Sequence, residues 1–83
     1  MKARPPAAPG LYRRAAQSER LTRIGKTIRL AEEVFGSRDR ALKWLHEPKR
    51  KFRDKTPFGL LATTEGGRLV EEALTAIDEG YAA

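Results

Sequence analysis

Apolar residues recur in the first half of the chain at the spacing of an α-helix. From Leu21 onward they follow at intervals of 3, 4, 3 and 4 residues, which places them on one stripe of a helix. The stripe comprises Leu21, Ile24, Ile28, Ala31 and Phe35, and is widened by Leu30 and Val34. The opposite face is basic, with Arg20, Arg23, Lys26 and Arg29. Ser18 is the predicted cap of a helix that begins near Glu19, and Gly36 is its predicted end.

A second helix is predicted between Ser37, a good N-cap, and about Glu47, because Pro48 cannot continue a helix. Its buried side would comprise Ala41, Leu42, Trp44 and Leu45. The chain has one tryptophan, and a lone tryptophan in a small domain usually lies at the centre of the core. Trp44 is therefore the predicted centre of this core.

Two more helix starts follow. Thr56 and Pro57 combine a capping threonine with a proline at the first helical position, and predict a short turn through Leu61. Thr63 or Thr64 begins the last predicted helix, whose apolar face is Leu69, Val70, Ala73, Leu74 and Ile77 and whose stop is Gly80. No stretch alternates as a strand does, so the predicted fold class is all-α, a small bundle of about four helices with one of them short.

The first ten residues read MKARPPAAPG, and their three prolines and one glycine argue against a stable helix or a central strand. We therefore predict that residues 1–17 are a flexible tail or the remnant of a linker. Residues 18–83 are predicted to be a helical domain together with the helix that precedes it.

Length and composition limit the classes of function. A chain of 83 residues forms one domain, with little room for a deep catalytic pocket. The absence of cysteine removes disulfides, thiolate zinc sites and cysteine nucleophiles, and fits a reducing compartment. No apolar run approaches the roughly 20 residues of a membrane span, and Lys2 and Arg4 are not followed by the apolar segment of a signal peptide. We expect a cytoplasmic protein without a membrane partner.

The net charge of +6 is unevenly distributed. Residues 1–29 carry eight cations and one acid, whereas residues 56–83 carry one cation and five acids. A basic front end suits nucleic acid or an acidic protein surface, and solubility alone explains the charge equally well. Residues 49–55 read KRKFRDK, which predicts a loop with Phe52 pointing inward. Its cations suit phosphates, bases or an acidic cleft on a protein, and a merely solvated loop is the alternative.

Candidate chemistry is sparse. His46 is the only histidine and has no oriented partner, so it is interpreted as a surface residue near a helix end. Glu71 and Glu72 are adjacent, and on a helix they point about 100° apart, which does not make a carboxylate pair. The glycines in residues 65–68 lack the rest of a phosphate-binding loop. We expect no enzymatic activity, no catalytic residue, no metal and no cofactor.

Several short motifs together resemble a known family. They occur in the run from Val34 to Tyr81: Val34-Phe35-Gly36-Ser37, Ala41-Leu42-Lys43-Trp44-Leu45, Thr56-Pro57, Leu60-Leu61, Thr63-Thr64-Glu65-Gly66, Leu69-Val70-Glu71 and Gly80-Tyr81. In order and spacing this run resembles the C-terminal, toxin-binding domain of the Xre–MbcA–ParS antitoxins. The chain departs from the family at residues 52–55, where other members have a glycine-containing stretch.

The resemblance implies a non-catalytic antitoxin of a type II toxin–antitoxin system whose partner is a cognate RES-domain toxin. Such toxins are similar to ADP-ribosyltransferases and attack NAD or use it. In the family the C-terminal end lies at the toxin's active site, which makes Gly80, Tyr81, Ala82 and Ala83 the expected blocking residues. Arg50, Lys51 and Arg53 are expected rim contacts. The family's N-terminal part is a helix-turn-helix-like region that mediates dimerisation and operator binding, and residues 1–25 are too short for a whole one.

Two other functions stay open. A DNA-binding autoregulator of its own operon is indicated by the basic first helix and the 49–55 loop, and operator DNA would be its partner where a full N-terminal domain exists. A self-associating helical scaffold, with a homodimer as its simplest form, is indicated by the apolar stripe of the first helix.

Overall fold

A computed structural model describes the backbone of residues 8–80 and the side chains of residues 14–80. It contains four α-helices: α1 (Ala8–Phe35), α2 (Arg38–Leu45), α3 (Pro57–Leu60) and α4 (Thr64–Asp78). A 3-10 turn (Arg50–Phe52) lies between α2 and α3, and no strand occurs in the described range. The all-α prediction, with one short helix among four, is confirmed.

The predicted caps explain where the helices begin. The hydroxyl of Ser37 accepts a hydrogen bond from Arg40 N at 3.0 Å, and that of Thr56 accepts one from Gly59 N at 3.0 Å. Thr63 rather than Thr64 caps α4, because its hydroxyl accepts from Gly66 N at 2.9 Å. Each bond satisfies a backbone donor that the first turn leaves free, which stabilises the helix start by about 1 kcal/mol.

The predicted start of α1 near Glu19 is wrong, because the helix begins at Ala8 and runs through Ser18. Arginine, alanine and glutamine dominate residues 13–17 and are good helix formers. Pro9 falls in the first turn, where a missing N–H loses no hydrogen bond. Residues 1–7 lie outside the described residues, and the division of the chain at residue 17 stays a prediction. At its other end α1 stops as predicted, at Gly36 with φ 78°.

The core lies where α1, α2 and α4 meet. Its fully buried members are small or aliphatic: Ala31, Ala41, Leu45, Leu61, Val70 and Leu74. Trp44 is not its centre, which corrects the prediction. Residues 41 and 45, four apart, point inward from α2, so the ring of Trp44 lies on the flank, half-buried and 5.7 Å from the ring of Phe35. The helix α2 also ends at Leu45, two residues before the predicted Glu47.

Two leucines predicted to be buried are exposed. Leu21 is 67% exposed and Leu69 is 49% exposed, whereas Val70, Ala73 and Leu74 are buried as predicted. Leu21 is exposed because α4 begins at the level of Arg23, whose guanidinium bonds Thr64, and the side chains of residues 14–22 are all exposed. We call these nine residues of α1 the overhang. The Leu21 position therefore satisfies the helical stripe but has no neighbouring element to pack against.

Candidate functional site

The predicted loop at residues 49–55, here the basic loop, is closed on itself by backbone hydrogen bonds. Lys49 N donates to Lys55 O at 3.0 Å, and Asp54 N donates to Lys49 O at 2.9 Å. Phe52 points inward and is buried, as predicted, which ties the loop to the core. The closure and the buried ring hold a compact loop rather than an extended segment.

The basic loop adopts a glycine-type backbone without a glycine. Arg53 has φ 58° and Asp54 has φ 66°, both in the left-handed region that disfavours side chains with a Cβ. This pair lies in residues 52–55, the stretch where the family that the chain resembles has a glycine. The sharp turn at residues 53 and 54 therefore has a conformational cost, and Arg53 is one of four exposed cations of the loop, with Arg50, Lys51 and Lys55.

The cations of the basic loop divide into inner and outer sets. Lys49 is half-buried, bonds Glu47 at 3.2 Å and lies 5.1 Å from the centre of the Trp44 ring. Arg50, Lys51 and Arg53 are exposed, and none of them forms an ion pair with a described side chain. The three predicted rim residues thus lie together on one exposed loop whose charges are not neutralised by side chains of residues 14–80.

The C-terminal end of α4 is the other predicted contact. The helix ends at Asp78, Glu79 is its C-cap, and Gly80 has φ 84° with its N–H donating to Ile77 O at 3.0 Å. This left-handed residue turns the chain away from the helix axis, as the predicted stop requires. Tyr81, Ala82 and Ala83 lie outside the described residues, so of the predicted blocking residues only Gly80 is placed.

The sequence predicts Arg23 on the basic face opposite the apolar stripe, whereas in the structure its half-buried side chain contacts the turn between α3 and α4. Its Nε donates to Leu61 O at 3.0 Å, and its terminal nitrogens donate to Ala62 O and to the Thr64 hydroxyl, each at 3.4 Å. The carbonyls at the end of α3 lack helical partners, so this arginine caps them from another helix. Arg23 thereby joins α1 to the turn that starts α4.

Gly66 and Gly67 make that junction close enough. A Cβ on Gly66 would lie 1.9 Å from the carbonyl oxygen of Leu60, and a Cβ on Gly67 would lie 2.6 Å from Cδ of Arg23. Two glycines inside a helix each cost about 1 kcal/mol relative to alanine, so the pair signals a close approach of other atoms. That signal was present in the sequence, but nothing in the sequence identified Arg23 as the approaching side chain. The junction positions α4, the helix that leads to Gly80.

Little in the described residues suggests other chemistry. His46 is exposed, as predicted, with its ring 4.8 Å from that of Phe58. The hydrogen-bonded ion pair with Glu32 raises the pKa of Arg38 above its ordinary value, which keeps an already permanent cation charged. Residues 8–80 contain no cluster of histidine and acidic side chains suited to a metal, and no helix among them is both long and apolar enough to cross a membrane.

Most of these features lie in the part of the chain that matches known proteins. Residues 30–80 match the family model described as the antitoxin Xre/MbcA/ParS C-terminal toxin-binding domain. Over 65 residues the chain is 43% identical to an Antitoxin Xre of Pseudomonas putida, an alignment that includes 78% of this chain and 41% of that protein. The chain thus matches about two fifths of the length of that relative. No solved structure gives a significant match.

The matched residues begin in the last turns of α1 and include α2, the basic loop, α3, α4 and Gly80. They make up more than half of the chain and contain the junction glycines, the basic loop and Gly80, the first of the four predicted blocking residues. The chain therefore belongs to the Xre/MbcA/ParS antitoxin family and contains its C-terminal toxin-binding domain.

Proposed function

We propose that this chain neutralises a partner toxin by binding it and covering the entrance of its active site, without catalysing a reaction itself. The observation that carries the proposal is the family match over residues 30–80, which includes the whole bundle apart from the front of α1. The toxin is of the RES type, which attacks NAD or transfers ADP-ribose from it. This part of the proposal rests on the family resemblance.

The blocking segment is the short end after α4. Gly80 turns the chain out of the helix, and Tyr81, Ala82 and Ala83 follow without a charged side chain. A segment of small residues with one aromatic can enter a narrow pocket and fill it, whereas the acidic Asp78 and Glu79 stay outside. Residues that fill a pocket and exclude water account for most of the affinity of an interface.

The basic loop has a different role in this proposal. Arg50, Lys51 and Arg53 are exposed and carry charges that no described side chain neutralises. Such rim charges mainly raise the rate of association with an oppositely charged surface and contribute less to the lifetime of the complex. The toxin surface around its pocket would then be acidic.

The experiment is co-purification of the chain with the product of the neighbouring gene, followed by an assay of NAD consumption by that product. The full chain is expected to bind the toxin and stop NAD consumption. Deletion of residues 80–83 is expected to abolish inhibition while weaker binding through the bundle persists. The variant Lys43→Ser, on the exposed side of α2, is the control and is expected to inhibit fully. Unchanged inhibition by the deletion variant would show that the end of the chain does not block the active site.

A second candidate function is operator binding, and the observation that favours it is the exposed basic front of α1. Arg14 and Arg20 project from the overhang, and residues 1–29 carry a charge of +7. Binding through such cations weakens steeply with salt because it releases counterions from the phosphates. A titration of the chain with the DNA upstream of its gene, at low and at moderate salt, tests this candidate. No binding at low salt would remove it.

A further inference from the structure

The base of the basic loop carries an exposed aromatic pair. His46 is the C-cap of α2 and Phe58 lies in the first turn of α3, so the two residues flank the loop in sequence. Their ring centroids are 4.8 Å apart, with an angle of 35° between the ring planes. Aromatic rings at this separation attract each other, so the pair joins the two ends of the loop. We call His46 and Phe58 together the aromatic base.

Phe58 contributes little to the position of its own helix. Pro57 and Leu61, at the two ends of α3, are fully buried and hold the helix, whereas Phe58 is 37% exposed and lies outside the core. Apolar area that remains in water does not stabilise the fold. A single exposed apolar side chain is common on monomeric proteins, so exposure alone does not indicate a partner. What indicates a partner is the charge around the ring.

Phe58 adjoins the exposed cations of the basic loop. Lys55 precedes it by three residues, and a chain extends by at most about 3.6 Å per residue, so their Cα atoms lie within about 11 Å of each other. The exposed cations of the loop form no ion pair with a described side chain, and they are Arg50, Lys51, Arg53 and Lys55. Aromatic and arginine side chains are enriched in protein interfaces. The loop and its aromatic base thus combine an apolar anchor with a basic rim.

The other two exposed apolar side chains have different surroundings. Leu21, 67% exposed, precedes the residues that match the toxin-binding domain. Leu69, 49% exposed, lies within them, but the exposed acids Glu65 and Glu72 are its neighbours at helical spacing. An acidic surface of this kind would not suit the partner that the basic loop attracts. Among the described residues, Phe58 is the exposed apolar side chain that has both a place in this domain and a basic rim.

We propose that the aromatic base anchors the toxin: Phe58 enters an apolar pocket on the toxin surface, bordered by the carboxylates that face the basic loop. This inference rests on the proposed function and adds an anchor to the steering role of the loop. An aromatic ring that fills a pocket and excludes water contributes strongly to the affinity of an interface. His46 packs against the ring before binding, so fewer side-chain conformations are lost when the toxin binds.

Nucleic acid is the other occupant that suits an aromatic ring among cations, because bases stack on such rings. The basic loop is less suited to it than to a protein. Binding of a single strand needs a groove of cations that follows the phosphates. Here Asp54 interrupts the exposed cations, and Lys49 is engaged with Glu47 at 3.2 Å. The aromatic base also lies within the residues that match a toxin-binding domain, which favours a protein pocket as the occupant.

Surface plasmon resonance of the full chain with the product of the neighbouring gene tests the anchor. Phe58→Ser is expected to raise the dissociation rate constant about tenfold at low and at high salt, and to leave the association rate constant nearly unchanged. His46→Ala leaves the ring in place and is expected to raise the dissociation rate about threefold. Lys51→Ser is expected to act the other way, on association at low salt. The matched control Leu69→Ser removes another exposed apolar side chain and should change neither rate.

The outcomes distinguish the anchor from the proposed function. Phe58→Ser is expected to stop NAD consumption fully at saturating concentration, because residues 80–83 are intact. Circular dichroism checks that the variants are folded, and the dissociation rate of His46→Ala decides if Phe58→Ser is not.

A folded Phe58→Ser that dissociates as slowly as the unmodified chain overturns the anchor alone. So does a Leu69→Ser that dissociates as fast as Phe58→Ser, or binding of a single-stranded oligonucleotide that Phe58→Ser abolishes. A chain that binds the toxin without inhibiting it contradicts the proposed function, and the dissociation rates then still decide the anchor. A chain that does not bind the toxin overturns both.

Discussion

The start of α4 and the basic loop differ in how glycine relates to the backbone conformation. At the start of α4 the backbone is ordinary helix, yet glycine occupies two positions because other atoms approach too closely for a Cβ. In the basic loop the backbone is left-handed at Arg53 and Asp54, yet neither residue is glycine. The first region gives up helix propensity to bring α1 and α3 against α4. The second accepts conformational strain to present a cation. Packing requires glycine at residues 66 and 67, whereas at residues 53 and 54 the backbone conformation favours glycine without requiring it.

The largest expected effect is at Gly66. The variant Gly66→Ala places a methyl group 1.9 Å from the carbonyl oxygen of Leu60, a backbone atom that cannot turn aside. We expect a loss of about 3 kcal/mol in the free energy of unfolding, despite the gain in helix propensity. Urea denaturation followed by circular dichroism measures it. A loss below that of Gly67→Ala would contradict the distinction between a backbone and a side-chain neighbour.

Gly67→Ala is expected to cost less, because the neighbour is the side chain of Arg23, 2.6 Å away. Arg23 would have to move and give up its bonds to Leu61 and Ala62, so we expect a net loss of about 1 kcal/mol. In the background Arg23→Ala the sign should reverse, since only the helix-propensity gain of about 1 kcal/mol remains. The four unfolding curves of this double-mutant cycle measure the coupling. Additive effects would mean that Arg23 does not set the requirement for glycine.

In the basic loop, replacing a residue by glycine is expected to raise the stability of the fold. Arg53→Gly relieves the left-handed strain at φ 58°, and this relief is expected to stabilise the fold by about 0.5–1 kcal/mol. The backbone entropy that glycine adds to the unfolded chain reduces this gain. The matched variant Arg53→Val, with a branched Cβ, is expected to destabilise it by about 1–2 kcal/mol. Thermal unfolding of both variants tests the idea, and equal melting temperatures would argue against strain at this position.

The smallest effect on stability is expected at Lys51. Its ammonium lies 6.0 Å from the Phe52 ring and is exposed, so Lys51→Ser should change the free energy of unfolding by less than about 0.5 kcal/mol. Under the proposed function the same variant slows association with the toxin by several-fold, which surface plasmon resonance at low salt would detect. Lys43→Ser removes one cation from α2 and should not slow association.

The predictable parts of this fold are those determined by neighbours in sequence. Ser37, Thr56 and Thr63 each accept a hydrogen bond from the N–H three residues ahead, and such capping residues can be recognised in the sequence. Burial depends on partners that are distant in sequence. Leu21 continues the helical stripe but lies where no described residue covers it, and Trp44 is displaced from the centre by Leu45. The contacts of Arg23 could not be predicted from the sequence, because the atoms that accept its hydrogen bonds are 38 to 41 residues away.

The candidate site divides in the same way. Phe52, the exposed loop cations and the stop at Gly80 follow from local chemistry and agree with the structure. The junction at Arg23 follows from how α1 and α4 come together, which no short motif encodes.

The unbroken course of α1 has a consequence for whatever meets its front end. The helix runs from Ala8 through Gly25 to Phe35 without interruption. The side chains of the overhang are therefore held at a fixed angle about the helix axis relative to the toxin-binding domain. An α-helix turns about 100° per residue, so deletion of one residue between positions 14 and 22 would rotate everything before it by that angle. The core would be intact, but the front surface would face a different side of the molecule. Insertions and deletions in this stretch therefore change the direction of an interaction without changing its chemistry.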